Sequence, residues 1–360
     1  LIGFFIDGGT TVVICMVNDN FYRSSGAAIA IKRIAQSLTG VEVYVAGCDH
    51  PKLKEDLTWI PEGRYRQFSL KSSNPFRLAI ELVRFKQWFR RQRCDLAHCH
   101  HRRVAALLQL AGIPVLYTGQ LAFPAELWFR LLRPKWMTAI TPSVANNILE
   151  GTGREVLACI GNPTAFPPNP PSFDVEGVKL SAVCVGRLEP IKGHAHLLAA
   201  WRVLRDRGYR YHLHLVGEGS LRAELEAQCI RDGIEHLVHF RGYTSDVSEI
   251  VDECLFAILV SQNEGQGIVT LEAAARGRAS LLTAVPGSID LIPPYRTLPN
   301  GLPFGDVNAL ADALVHWFSS PDATIREGRL FFDFLKNSSD PGTIAREYQA
   351  VYHELIQKIA

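Results

Sequence analysis

Short apolar runs rich in β-branched residues alternate with longer amphipathic stretches from end to end, which restricts the fold to βαβ units built on parallel sheets. In the first half TVVICMVND, VEVYVAG, DLAHCH, VLYTG and MTAITP read as strands, with helices over GAAIAIKRIAQSL and NPFRLAIELVRFKQWFRRQR. In the second half the strands are KLSAVCVG, YHLHLVG, HLVHF, LFAILV and SLLTA. Helices there fall on HAHLLAAWRVLRDRG, SLRAELEAQCIRDG, DVSEIVDEC, GIVTLEAAARG and GDVNALADALVHWFSS, and a last one, TIAREYQAVYHELIQKIA, follows a break at SSDPG.

The alternation is interrupted once, by five prolines between Pro163 and Pro171. A ladder cannot run through so many residues lacking an N–H, so NPTAFPPNPPSF reads as a linker. A chain of 360 residues, 47% of them apolar, can bury two cores of ordinary size. The boundaries that follow are a first domain over 1–163, a linker over 164–176, a second domain over 177–341 and a final helix over 342–360.

Composition narrows the partners. A formal charge of +2 gives no global field for nucleic acid. Eight scattered cysteines with no CxxC spacing read as reduced core residues, an expectation that fits a cytoplasmic location. The opening stretch is broken by Asp7, Gly8 and Gly9 and lacks a signal-peptide pattern, and no other window has the length a bilayer core demands. The expectation is a soluble or peripheral protein. Arg84 to Arg93 could lie on an anionic membrane surface with Trp88 and Phe89 entering it, or be an ordinary helix with its aromatics in the core.

Three segments carry the candidate chemistry. In SQNEGQGIVTLEAAARG, Glu264 and Glu272 flank Gly265, Gln266 and Gly267 where a strand opens into a helix at Ile268. Free amides and a positive helix end there welcome phosphate, and the carboxylates would accept hydroxyls of a sugar or ribose. The bland alternative is a helix whose first turn carries acids that favour its dipole. In VGRLEPIKG, Arg187 and Lys192 follow a buried strand, with Gly186 and Gly193 leaving room, and two cations at one sheet edge suit a diphosphate. Gly217 and Gly219 begin a dinucleotide-like turn that Arg222 and the absent acid break off, which disfavours hydride chemistry. Gly26 opens a helix where donor phosphates could approach, or is simply a cap. His98, His100 and His101 read as polar residues of a sheet edge rather than metal ligands. No serine nucleophile elbow is present.

In order and spacing, VGRLEPIKG, HLVGEGSLRAELE, FRGYTSDVSEI, SQNEGQGIVTLEAAARG and NGLPFGDVNALADAL resemble glycosyltransferase family 4, the "glycosyl transferases group 1" proteins of GT-B fold. The resemblance is close over 179–314 and loose before the linker. It implies two facing Rossmann-like, doubly wound parallel-sheet domains with a cleft between them, and a final helix crossing back onto the first. It implies a retaining transfer from a nucleoside-diphosphate sugar to a saccharide or lipid-linked acceptor, in cell-surface polysaccharide or glycolipid synthesis, with no cofactor and no obligatory metal. Arg187 and Lys192 would hold the diphosphate, Glu264 the transferred sugar and Glu272 the ribose. Gly265, Gln266 and Gly267 would present amides, and Gly242 and Tyr243 would border the base. Two departures stand out: Gln120 where the family often has a histidine, and Val285-Pro286-Gly287 where it has a glycine pair. Two rivals share the architecture, a nucleotide-sugar epimerase and a non-catalytic nucleotide-binding partner subunit.

Overall fold

Eleven strands among the described residues form two all-parallel sheets, one on each side of the proline-rich segment. The computed structural model describes residues 11–19, 21, 26–48, 57–124, 126–171 and 180–359. Asp7, Gly8 and Gly9 of the opening stretch, and 172–176 of the linker, lie outside them.

The first sheet contains β1 (Val12–Asn18), β2 (Val41–Gly47), β3 (Tyr65–Gln67), β4 (Leu96–Cys99), β5 (Val115–Gly119) and β6 (Trp136–Ala139), in the order β3-β2-β1-β4-β5-β6. Its helices are α1 (Gly26–Ser37), α2 (Pro75–Arg91), α3 (Arg102–Leu110), α4 (Leu127–Leu132) and α5 (Pro142–Thr152). The second sheet contains β7 (Ser181–Val185), β8 (His212–Val216), β9 (Val238–Gly242), β10 (Phe256–Leu259) and β11 (Ser280–Leu282), in the order β11-β10-β7-β8-β9. With it go α6 (His194–Asp206), α7 (Arg222–Arg231), α8 (Ser248–Asp252), α9 (Ile268–Ala275), α10 (Val307–Ser319) and α11 (Pro321–Ser339), and α12 (Pro341–Ile359) ends the chain.

Continuous apolar strands such as VVICMVN are buried on both faces, as a parallel sheet covered by crossover helices requires. One face of the first sheet packs on α2, α3, α4 and α5, through Phe85, Trp88, Val104, Phe129 and Val144. The opposite face packs on α1 and α12, where Ile344, Tyr348, Tyr352 and Leu355 join Ile14, Ile31 and Leu116. The last helix thus belongs to the core of the first sheet although it follows the second. The segment after Pro163 forms no strand: Thr164 N–H bonds the Ser339 carbonyl at 2.8 Å, and Phe166 packs edge-on against Phe332.

Several details depart from the sequence reading. It assigns no helix to α3, α4, α5 or α11 and no strand to β3. In α11, Gly328 and the polar end Asn337-Ser338-Ser339 interrupt the apolar stripe, yet Thr324, Phe331, Phe332 and Leu335 are buried. Trp88 and Phe89 do not reach a surface. They sit in the core with Phe68 and Phe85, because the apolar side of α2 is needed to cover the sheet. All eight cysteines are free thiols, seven buried and Cys159 exposed.

Candidate active site at the domain seam

In each sheet the strand order reverses once, between β1 and β4 in the first and between β7 and β10 in the second. Connections on either side of such a reversal leave to opposite faces, so a crevice opens at the carboxyl ends of those two strands. Arg187 and Lys192 follow β7 and Glu264 follows β10, which puts all three at the reversal of the second sheet.

Local backbone ties close this edge. A Cβ on Gly193 would fall 2.1 Å from the Val260 carbonyl oxygen, and Gly193 has φ of +71°, so only glycine lets the β7 loop lie against the end of β10. The Gln262 N–H bonds the Ile191 carbonyl at 2.8 Å. Lys192 Nζ then meets Glu264 Oε2 at 2.6 Å, with both side chains largely buried. Arg187 is exposed on the same loop, and a Cβ on Gly186 would lie 3.9 Å from the Lys192 side chain. His194, just beyond Lys192, is no competing cation, because burial and the Lys192 charge push it down to about 4. Along the same edge Gly217 N–H bonds the Gly242 carbonyl at 2.8 Å, and the neighbouring Tyr243 is exposed.

Helix α9 begins at Ile268 behind Gly267, and its first turn carries no acidic residue. Glu264 precedes the helix and Glu272 lies in its second turn, so neither acts as the helix-end acid of the bland reading. Across the seam α1 also opens without an acid in its first turn, and a Cβ on Gly26 would lie 3.8 Å from Ile268 Cδ1. The two positive helix ends therefore meet across the seam, and Lys192 pairs with Glu264 in the turn that opens α9.

The first domain closes tightly on this turn. A Cβ on Gly265 would fall 1.9 Å from the Gln120 carbonyl oxygen, so residue 265 must be glycine for the domains to meet. Asn263 Nδ2 donates to the Ala122 carbonyl at 3.0 Å, and Gln266 Oε1 accepts from Asn162 N–H at 2.5 Å. Glu272 is held by Arg33 of α1 at 2.5 Å, and Arg33 also donates to Thr164 Oγ1 at 3.1 Å. Asp290, in the segment after Pro286, accepts from the Ser143 N–H and hydroxyl, both at 3.0 Å. The structure thus brings Lys192, Glu264 and the α9 turn together, and it turns Glu272 and Gln266 toward the first domain. Arg33, Ser143 and Asp290 are not among the sequence candidates, because pairing between domains leaves no trace in local spacing.

On the first sheet's edge, Gln120 Nε2 lies 2.9 Å from His100 Nδ1. His98 is buried behind it, with Nδ1 at 2.7 Å from Tyr352 Oη and Nε2 at 2.6 Å from Thr118 Oγ1. Burial holds His98 well below its usual range and pushes His100 down to about 3, so both are neutral near pH 7. His101 is instead the N-cap of α3, its Nδ1 accepting from Val104 N–H. Among the described residues no set of three or more His, Cys, Asp or Glu side chains is arranged to hold a metal ion.

Residues 179–320 match the sequence profile of the family described as Glycosyl transferases group 1. The chain is 29% identical over 125 residues to "Putative glycosyltransferase EpsF" of Bacillus subtilis, a stretch covering 33% of each protein. It is 32% identical over 121 residues to an uncharacterized glycosyltransferase of Haemophilus influenzae, 34% of each. The matched stretch thus spans about a third of the length of these relatives. Over nearly the whole chain the fold resembles a glycosyltransferase from Rickettsia africae ESF-5, with a TM-score of 0.78, 15% identity, and 97% and 99% of the two chains covered. It also resembles Anabaena Alr3699/HepE in complex with UDP and glucose, with a TM-score of 0.76, 17% identity, and 94% and 98% covered. The fold is GT-B, two facing Rossmann-like domains.

Proposed function

We propose that the protein is a retaining glycosyltransferase that moves a sugar from a nucleoside-diphosphate donor to a hydroxyl of a saccharide or lipid-linked acceptor, in cell-surface polysaccharide or glycolipid synthesis. The observation that carries this reading is the meeting of two acid-free helix ends, those of α1 and α9, with Lys192 paired to Glu264 of the α9 turn at the reversal point of the second sheet. Such a place suits a diphosphate. The Anabaena neighbour's complex with UDP and glucose supports the same donor class.

In this reading Arg187 and Lys192 hold the diphosphate and stabilise the charge that grows on it as the glycosidic bond breaks. Glu264 accepts hydroxyls of the sugar, and Glu272, once released from Arg33, those of the ribose. Amides of Gly265, Gln266 and Gly267 lie at the phosphates with Gly186 and Gly26, and Gly217, Gly242 and Tyr243 border the base. The acceptor hydroxyl attacks on the face from which the nucleotide leaves, its oxygen bonding the anomeric carbon as the carbon–phosphate-oxygen bond breaks. The departing phosphate takes the proton. The two cations and the helix ends supply the charge stabilisation, so the proposal needs no resident metal or cofactor.

We place this activity in the cytoplasm, at an anionic membrane. The eight free thiols suit a reducing compartment. No helix of the described residues is long and apolar enough to cross a membrane. The outer face of α2, however, exposes Phe76 (81%), Ile80 (60%) and Val83 (56%) at helical spacing beside Arg77 and Arg84. Ile80→Asp with Val83→Asp should abolish sedimentation with phosphatidylserine vesicles without lowering the melting temperature. Unchanged sedimentation would contradict the contact.

Incubating the protein with UDP-glucose or GDP-mannose and a lipid extract tests the main reading. Release of nucleoside diphosphate should depend on the extract, and NMR of the product should show the donor's anomeric configuration retained. Conversion of donor into an epimer without acceptor would favour the epimerase. Arg187→Ala with Lys192→Ala that disrupted assembly with another subunit, but no turnover, would favour a non-catalytic role.

A further inference from the structure

The two neighbouring histidines at the end of β4 differ in one respect. His98 has both ring nitrogens engaged, by Tyr352 and Thr118. His100 is 6% exposed, and its Nε2 is buried with no hydrogen-bond partner among the described residues. A buried polar atom with no partner needs a reason, and one reason is a ligand that completes its hydrogen bonding.

Its proton can be placed. Gln120 Nε2 is an amide nitrogen and can only donate, so His100 Nδ1 at 2.9 Å accepts and the ring proton sits on Nε2. Burial keeps the ring neutral, pushed down to about 3, so this tautomer persists at physiological pH. The backbone is fixed as well, because His100 N–H bonds the Val17 carbonyl at 2.9 Å across the strand-order reversal of the first sheet. The Gln120 carbonyl in turn packs against Gly265, the residue after Glu264. The open N–H therefore belongs to a pair that abuts the donor turn from the other domain.

We infer that His100 contacts the transferred sugar, donating its Nε2–H to a hydroxyl oxygen, and that Gln120 is a positioning residue that fixes the tautomer. This inference rests on the proposed donor site.

Calorimetry with two probe pairs, UDP with UDP-glucose and GDP with GDP-mannose, tests it. For whichever pair binds, His100→Ala should bind the free diphosphate within about twofold of wild type and the nucleotide-sugar about tenfold more weakly, a difference of about 1.4 kcal/mol. His100→Gln, which keeps a side-chain donor, should recover part of the loss. Gln120→Ala should lower kcat more than it raises KM and move the pH profile, which a merely structural role would not do. His98→Ala should lower the melting temperature and leave the ratio of the two affinities unchanged. Equal weakening of diphosphate and nucleotide-sugar in His100→Ala, or no change in either, overturns the inference while the donor site stands. A wild-type protein that binds none of the four probes removes the donor site and the inference with it.

Discussion

Lys192 and Glu264 neutralise each other at 2.6 Å, and the proposed reaction needs them apart. A diphosphate competes for the lysine, and the sugar hydroxyls compete for the carboxylate. Removing one charge should therefore act in opposite directions on two observables. Glu264→Gln should bind free nucleoside diphosphate a few-fold more tightly and transfer sugar about a hundredfold more slowly. Lys192→Met should weaken both binding and turnover. Titration and initial rates on the same preparations separate these outcomes, and weaker diphosphate binding by Glu264→Gln would contradict the competition. At this scale much was legible: a glycine-bearing turn between two glutamates, and two cations after a buried strand, place Lys192 and Glu264 correctly at one edge. What the sequence could not give is the present partner of each group. Glu272 meets Arg33, 239 positions away, and Gln266 meets Asn162, 104 positions away, through contacts that exist only when the domains close.

Helix α12 is anchored to the first sheet by polar as well as apolar contacts. Tyr352 and Tyr348 are fully buried, and the Tyr352 hydroxyl satisfies His98. Tyr352→Phe keeps the packing but leaves a buried imidazole nitrogen open, which should cost about 1–3 kcal/mol in urea denaturation. A loss below a few tenths of a kcal/mol would mean that His98 finds another partner. Buried His100 and His194 and half-buried His214 also make stability pH-dependent. His100 titrates at about 3 in the fold, and His194 and His214 at about 4, against 6.5 for the free side chain. As pH falls below 6.5 the unfolded chain binds protons first, so stability should drop between about pH 6.5 and pH 4 and should not rise. Each pH unit in that window costs up to about 1.4 kcal/mol for each such histidine. Urea midpoints at pH 7.5, 5.5 and 4.5 check it, and a flat profile would contradict neutral burial. The break before α12 was readable from Asp340-Pro341, where Asp340 caps Thr343 N–H at 2.7 Å. Helix α11 was not, because tertiary contacts rather than a clean apolar stripe hold it.

The whole molecule is two α/β layers meeting at their carboxyl edges, held by Arg33–Glu272, Asn263–Ala122, Gln266–Asn162 and Ser143–Asp290. Alternating strands and helices disclosed both sheets in advance. Strand order, and with it the two reversal points, emerges only from the crossovers. The central claim is that the reversal point of the second sheet receives a nucleoside diphosphate. Hydrogen–deuterium exchange with and without UDP or GDP tests it most directly. The account predicts slower exchange in peptides covering 186–193 and 264–272, lost in Arg187→Ala with Lys192→Ala. Protection confined to other parts of the molecule, or unchanged exchange throughout at saturating nucleotide, would contradict it.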